Sequence, residues 1–579
     1  MVDLKGNPFY LDEEGIKWVK DTLASMSLHE KICQLFADPL QHMSAEQATA
    51  FLKENPLSAV PLRARILGND VAQDVITDVQ NSLKIPVLFV GNCESGGNGC
   101  ARNGTLVATA AQAGATRDLD AGYQIGRISG AEMEAMGFNC NWGPTGDILM
   151  NWRNCLVNTR CFGDDATLVS NFVEAFNKGL REHGVVPTLK HFPGDGWEER
   201  DQHLAVSNNG LTCEEWDNTF GKIYKNSIDN GLLAVMVGHF TLPAYQKFFN
   251  PYLEDKDMET ACNSPELING LLRSALGFNG MVVTDQTAMM GYYTSSRPEA
   301  IRKTIAAGCD IVLGINDWEE DYAAMKSGIE SGYISAERFE EALLRVLATK
   351  AAINLHKQKE AGFKSDREKL KIIACDDHQR IADEISDKAI TLVKNSKNQL
   401  PITSDKYKKI GLVVLNASTQ GASNTMAEGV VNAGSATTSD VIKAELEAEG
   451  FEVIDILNTN VAPRVPLRKG KTSDFVKNYD AVMIFADITS FASSNTIRIQ
   501  WPGFMNPAYP WYVNDVPVVF VSLNLTNHLF DVARVPTFIN AYNSRPGTIR
   551  HVVKKIAGKS PFTGEYDENV WCGAWDTHF

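Results

Sequence analysis

Val185-Val186-Pro187-Thr188-Leu189-Lys190-His191-Phe192-Pro193-Gly194-Asp195-Gly196 decides the fold. An apolar, β-branched run turns abruptly polar at Lys190-His191, and the Pro-Gly-Asp-Gly behind it has the chemistry of a loop. An amphipathic stretch, Leu168 to His183, precedes the run, so the order is helix, strand, loop. The same unit recurs along the first ~355 residues. Strands are expected at Val87–Val90, Phe138–Trp142, Ala234–Val237 and Met281–Thr284, with Asp310–Leu313 closing the series. Helices are expected over Leu119–Met136 and Ser335–Ala352. Short buried strands alternating with amphipathic helices predict a parallel sheet, and the length suits a (β/α)8 TIM-type barrel with insertions. Chemistry on such a barrel sits where strands end. Four ends are polar here: Asn92-Cys93-Glu94, Lys190-His191, His239 and Asp285.

Beyond the barrel, residues 356–377 are rich in charge and read as a linker. A helical pattern from His378 to Lys394 follows. Strand-like runs at Ile410–Leu415, Phe451–Ile456, Ala481–Phe485, Val518–Ser522 and Thr537–Ala541 predict an α/β/α sandwich over 378–579. The domains expected are therefore 1–355 and 378–579.

Composition narrows the function. A formal charge of −16 opposes nucleic acid or an anionic membrane as partner, since both reward clustered Lys and Arg. No apolar run of ~18 residues exists to span a bilayer, and the N-terminal residues hold no apolar signal core. The 11 cysteines are scattered without a CxxC pair, which fits a reducing, cytoplasmic compartment.

Three segments carry candidate chemistry. In Asp201-Gln202-His203, residues i and i+2 of an extended loop face the same way. A carboxylate beside an imidazole fixes its tautomer and stabilises its charged form, making a proton donor and acceptor suited to neutral pH. In Thr284-Asp285-Gln286-Thr287-Ala288-Met289, an Asp at a strand end can be a carboxylate nucleophile or the N-cap of a following helix. Asn141 to Asp147 and Asn158 to Asp165 form the third group. There Arg160 either binds a ligand oxygen or pairs with Asp147. A metal-dependent hydrolase using His191, Asp201, His203 and His239 is a rival reading, although no H-x-H or H-E-x-x-H spacing occurs.

Together these segments resemble glycoside hydrolase family 3. Lys190 to His203 is similar to its K-H-F-P-G-x-G…D-x-H pattern, Asn141 to Asp147 to N-F-A-P-x-x-D, and Arg160 to Asp165 to R-S-F-G-x-D. Thr284 to Met289 resembles its [ST]-D-x-x-x-M motif, Ala307 to Leu313 its A-G-x-D-x-x-L segment, and Thr391 to Asn395 with Leu400-Pro401 its T-L-L-K-N…L-P stretch. The resemblance implies a retaining β-glycosidase with Asp285 as nucleophile. The D-x-H element points to the N-acetyl-β-glucosaminidase branch, with His203 as acid/base and Asp201 orienting it. It implies a sugar pocket of Lys190, His191, Arg160, Asp147, Asn92, Glu94 and Met289. The expected substrate is a small oligosaccharide or glycoconjugate ending in β-linked N-acetylglucosamine or N-acetylgalactosamine. No metal or cofactor is implied, and the protein is expected as a monomer or homodimer.

A β-glucosidase or β-xylosidase of the same family is the nearest alternative, and would use a Glu from the second domain. A phosphorylase is another, because a neutral imidazole does not repel an incoming phosphate. Asn92 and the inserted Ser95 depart from the family's D-x-E-G-G, so the hydroxyl-binding end of the pocket is where this chain should differ. Asp195, Glu198 and Glu199 depart on the acid/base loop, where surface solubility is the simplest reading.

Overall fold

The computed structural model describes residues 2–62, 67–417, 437–456, 471–490, 492–493, 497–501 and 509–579. The chain forms two compact units. The first comprises 1–107, 122–148 and 165–379. Its eight parallel strands are β1 (Phe36–Ala37), β2 (Ala59–Pro61), β3 (Leu88–Gly91), β4 (Cys140–Asn141), β5 (Val186–Phe192), β6 (Ala234–Val237), β7 (Met281–Thr284) and β8 (Val312–Leu313). Hydrogen bonding runs β8-β1-β2-β3-β4-β5-β6-β7, and the Val283–Ile311 bridge returns from β7 towards β8. The sheet is thus a TIM-type barrel. Every residue of β3, β5, β6 and β7 is buried, as expected where helices cover the outer face and side chains fill the lumen.

Several expected elements recur with little change. The helix over Leu119–Met136 has those bounds. Ala336–Ala352 starts one residue late because the Ser335 hydroxyl caps the Arg338 amide at 3.1 Å. β5 runs further than its apolar stretch, through Lys190 and His191 to Phe192. Lys190 pairs with Thr145, and the register against β6 shifts between Leu189 and Phe192. An irregularity of this kind re-aims side chains, and here it falls on two site residues.

The segment 356–377 is tied to the first unit. It contains the end of helix Leu355–Ala361. Lys359 Nζ donates to the Gln80 and Asn81 carbonyls, both at 2.8 Å, and Asp366 exchanges bonds with the Gln73 amide. The single helix expected over His378–Lys394 is instead Asp376–Ala389 followed by a strand, Thr391–Asn395. β-Branched Ile390, Thr391 and Val393 favour extended chain, and antiparallel pairing with Thr537–Asn540 captures it.

The second unit holds 108–121, 149–164 and 380–579, so two excursions from the N-terminal half belong to it. Trp152 packs its ring 4.6 Å from Phe530, and Gln112 accepts from Asn543 at 2.6 Å. Its sheet consists of β9 (Thr391–Asn395), β10 (Lys409–Ala417), β11 (Glu452–Asp455), β12 (Ala481–Ile488), β13 (Val518–Ser522) and β14 (Thr537–Asn540), in the order β9-β14-β13-β12-β10-β11. Val482 and Ile484 belong to one core, while Met483 and Phe485 belong to another. Alternate residues of one strand feeding two cores means apolar packing on both faces, the α/β/α sandwich.

One buried charge cluster lies within the first unit. The Asp310 carboxylate, wholly buried, receives Arg273 at 2.8 Å and also Arg338, with Arg345 at 3.7 Å. Burial would raise its pKa, but the three guanidiniums overcome that and hold it below the usual carboxylate value. Removing the anion takes the shared partner from three buried guanidiniums, of which only Arg338 and Arg345 also face Glu341, at 3.4 and 3.5 Å. Asp310→Asn is therefore expected to cost ~3–5 kcal/mol in urea unfolding at pH 7. Because the native carboxyl is depressed, its contribution is complete above roughly pH 4 and lost on acidification below it. Unchanged stability would show that the arginines find other partners.

Candidate active site

Loops leaving the C-terminal ends of β3 to β7 converge on a buried group of carboxylates, imidazoles and amides. Asp285 follows the last residue of β7 and is 7% exposed. Its amide donates to the Val237 carbonyl at 2.8 Å, which continues the β6–β7 ladder and fixes where its side chain leaves the barrel. Oδ1 accepts from the Gln286 amide at 2.7 Å, and Oδ2 from Gln202 Nε2 at 3.0 Å. His191 Nε2 lies 3.8 Å from Oδ2. Burial would raise the Asp285 carboxyl. The imidazoles of His191, His239 and His203 and the Gln286 amide outweigh it and hold the group below its ordinary value. Such a residue is a carboxylate at neutral pH.

Asp147 and His191 act as one assembly. His191 Nδ1 meets Asp147 Oδ2 at 2.8 Å. Asp147 Oδ1 accepts the His191 amide at 3.1 Å and the Asp195 amide at 2.9 Å. Both carboxylate oxygens are thus spent on orienting the β5 end and its imidazole, whose Nε2 is turned towards Asp285.

Lys190, 4% exposed, extends Nζ to Asn92 Oδ1 at 3.0 Å and Glu94 Oε1 at 2.7 Å. The loop carrying those two is clamped by Asn141, whose side chain bonds both the amide and the carbonyl of Cys93, at 2.8 and 3.2 Å. Asn92, Glu94 and Lys190 therefore form a charged, hydrogen-bonding wall suited to hydroxyl groups.

The loop that carries Asp201 and His203 leaves β5 through Gly194 and Gly196. A Cβ on Gly196 would lie 1.8 Å from the Ile148 carbonyl oxygen, and its φ is +108°, so the turn admits no side chain. Asp201 Oδ1 accepts from the His203 amide at 2.8 Å and meets His203 Nδ1 at 2.7 Å. The Asp201 side chain is fully enclosed, whereas that of His203 remains 24% exposed. With Nδ1 committed to Asp201, Nε2 is the nitrogen left to exchange a proton with a ligand. Two acids read as surface residues have structural roles instead. Asp195 is 3% exposed and caps the Gly196 amide at 2.6 Å. Glu198 bonds the Asn208 amide and Arg200.

Met289 is half-buried on the loop after Asp285, its amide donating to the Gln286 carbonyl at 3.1 Å. Arg160 belongs to the second unit, in the 3-10 turn Asn158–Arg160. His239, offered by the metal reading as a ligand, turns Nε2 to the Gln286 carbonyl at 3.1 Å and Nδ1 to Cys262 Sγ at 3.5 Å. Burial lowers its pKa, against the opposing pull of the Asp285 carboxylate, and both ring nitrogens have partners within the protein. Among the described residues, no three of His, Cys, Asp and Glu converge as a metal site, and no helix is long and apolar enough to cross a membrane. Gln202 was not singled out in the sequence. It is the middle residue of the D-x-H triplet, and its side chain bridges to Asp285.

A buried strand-end carboxylate faces imidazoles and a polar wall at the C-terminal end of the barrel, where barrel enzymes carry their active sites. Comparison makes the class specific. The model of the glycosyl hydrolase family 3 N terminal domain matches residues 27–349, more than half of the chain. A β-N-acetylglucosaminidase/β-glucosidase of Cellulomonas fimi is 35% identical over 593 residues, covering 100% of both chains. A β-hexosaminidase of Neisseria gonorrhoeae is 30% identical over 205 residues, 35% of this chain and 53% of its own. Among solved structures, the β-glucoside phosphorylase BglX superposes with a TM-score of 0.90 at 33% identity, covering 99% of each chain. The chain belongs to glycoside hydrolase family 3, and it is a glycoside hydrolase in that sense.

Proposed function

We propose that the chain is a retaining exo-β-glycosidase that releases terminal β-linked N-acetylhexosamine, with Asp285 as nucleophile and His203 as acid/base. The observation that carries this reading is the 2.7 Å Asp201–His203 pair on a loop whose Gln202 bonds Asp285. In the first step a carboxylate oxygen of Asp285 attacks the anomeric carbon. The glycosidic oxygen leaves with the proton of His203 Nε2, while Asp201 stabilises the imidazolium that donates it. In the second step the neutral imidazole takes a proton from water as water displaces Asp285, and two inversions restore the β configuration. Lys190, Asn92, Glu94 and His191 would hold the sugar hydroxyls. The Cellulomonas fimi relative's name supports an N-acetylated or plain gluco-configured sugar. Eleven cysteines, all free thiols, favour the cytoplasm.

Phosphate as acceptor is a second reading, supported by the full-length likeness to a β-glucoside phosphorylase. After the first step His203 is neutral and adds no negative charge against an entering phosphate anion. One experiment addresses both readings: aryl β-glycosides of GlcNAc, GalNAc and glucose, assayed with and without inorganic phosphate. Preference for an N-acetylated sugar and phosphate-independent turnover supports the hydrolase. A sugar 1-phosphate as main product moves the assignment to the phosphorylase. A glucoside preferred by orders of magnitude removes the N-acetylhexosamine specificity.

A further inference from the structure

Gln202 stands between the two members of the dyad and is 1% exposed. Its Oε1 accepts the His239 amide at 2.8 Å, and its Nε2 donates to Asp285 Oδ2 at 3.0 Å. The orientation of this side-chain amide is fixed by chemistry. A backbone N–H can only donate, so it must meet Oε1, and a carboxylate can only accept, so it must meet Nε2. The backbone closes the same way. The Gly291 amide donates to the Gln202 carbonyl at 3.1 Å, and the Met290 amide to the His203 carbonyl at 3.0 Å. A Cβ on Gly291 would stand 2.7 Å from the Gln202 carbonyl oxygen, so glycine is what lets the two loops meet.

Resting on the assignment of Asp285 as nucleophile and His203 as acid/base, we propose that Gln202 is a positioning residue for Asp285, coupling the seating of the His203 loop to the orientation of the nucleophile. Asp285 Oδ1 is held by a neighbouring amide of its own strand end, but Oδ2 is aimed by a residue from a different loop. If the segment 201–203 lifts, the proton donor and the nucleophile's hydrogen bond leave together. The proton donor and the nucleophile's hydrogen bond are therefore held by one three-residue segment. A neutral amide suits the role because it orients the carboxylate without competing for its charge as an arginine or lysine would.

Two variants test this in the full chain. In Gln202→Glu a second carboxylate faces Asp285, and like charges disfavour joint ionisation, so the acid limb of kcat/KM should move up by about one pH unit or more. A glutamine whose side chain does not reach Asp285 in solution would leave that limb in place. In Gln202→Leu the donor is lost, and glycosyl-enzyme formation from a 2,4-dinitrophenyl glycoside should slow about tenfold to a hundredfold. That step needs no proton from His203, so its loss reports on the nucleophile. An unmoved acid limb in Gln202→Glu overturns the proposal, as does an unimpaired burst in Gln202→Leu. If the leucine variant fails to fold, the glutamate profile decides alone. Trapping with a 5-fluoro glycoside of the N-acetylhexosamine separates this from failure of the underlying reading, because a label on any residue other than Asp285 removes the nucleophile assignment itself.

Discussion

Asp285→Asn is expected to abolish glycosyl-enzyme formation, lowering kcat/KM by at least about 10^4-fold on good and poor leaving groups alike. The substitution keeps size and shape but replaces an anionic oxygen pair by a neutral amide. Oδ1 can still accept the Gln286 amide. The new Nδ2 would face Gln202 Nε2, donor against donor, where 3.0 Å now separates donor and acceptor. Flipping Gln202 moves that conflict to the His239 amide, so a small loss of stability accompanies the loss of chemistry. Circular dichroism and thermal unfolding will show the variant folded. Azide should restore turnover and give the α-glycosyl azide, since it replaces the missing nucleophile by a single inversion. Substantial azide-independent activity, or a trapped label elsewhere, sinks the assignment. The wild-type acid limb carries a related expectation. The imidazoles around Asp285 hold its carboxyl below the ordinary value despite burial, and the nucleophile works deprotonated. The acid limb of kcat/KM should therefore lie lower than that of an unperturbed carboxylate.

The barrel was legible where strands are long and apolar. Ala234–Val237 and Met281–Thr284 are uniformly buried and flanked by helical periodicity, so pattern and structure agree. Phe36–Ala37 and Ala59–Pro61 were not, because two or three residues carry no period to read. Site residues could be found because each follows a strand, but their partnerships could not. Asp147 bonds His191 across 44 positions of sequence, a contact set by β4 lying beside β5. It ties Asp147 to the orientation of His191, a partnership the spacing does not show. Asp195 and Glu198 looked like solvated acids, since nothing local distinguishes a loop carboxylate turned inward from one turned out. Gln202 stayed hidden for the same reason. The D-x-H spacing draws attention to i and i+2, and only the approach of β6 and β7 gives the intervening side chain its partners. The second unit's sheet was readable from its apolar runs. Its two N-terminal excursions, 108–121 and 149–164, were not, because they contain helix and loop that fit a barrel equally well by sequence.

His203→Ala should divide substrates by their leaving groups. An alkyl or sugar aglycone leaves as a poor alkoxide unless protonated, so kcat/KM on such substrates should fall about 10^2- to 10^4-fold. A 2,4-dinitrophenolate needs no proton, and its release in the first step should be nearly unchanged. The second step still lacks its base. The variant should give a burst of phenolate equal to the enzyme present, then slow turnover as the glycosyl-enzyme waits for unassisted water. Azide needs no base and should clear the intermediate, giving the β-glycosyl azide with retained configuration, opposite to the product expected from Asp285→Asn. Asp201→Asn should show a weaker form of the same pattern. An asparagine can still place an oxygen against His203 Nδ1 but cannot stabilise the imidazolium that donates in the first step. Equal loss on both classes of leaving group, with no burst and no azide effect, would mean that His203 orients substrate and another residue moves the proton. The opposite anomeric configurations of the two azide products make the two assignments independent. Each variant removes one participant and leaves the other's step intact, so the anomeric configuration of a single product reports which half of the reaction each residue performs.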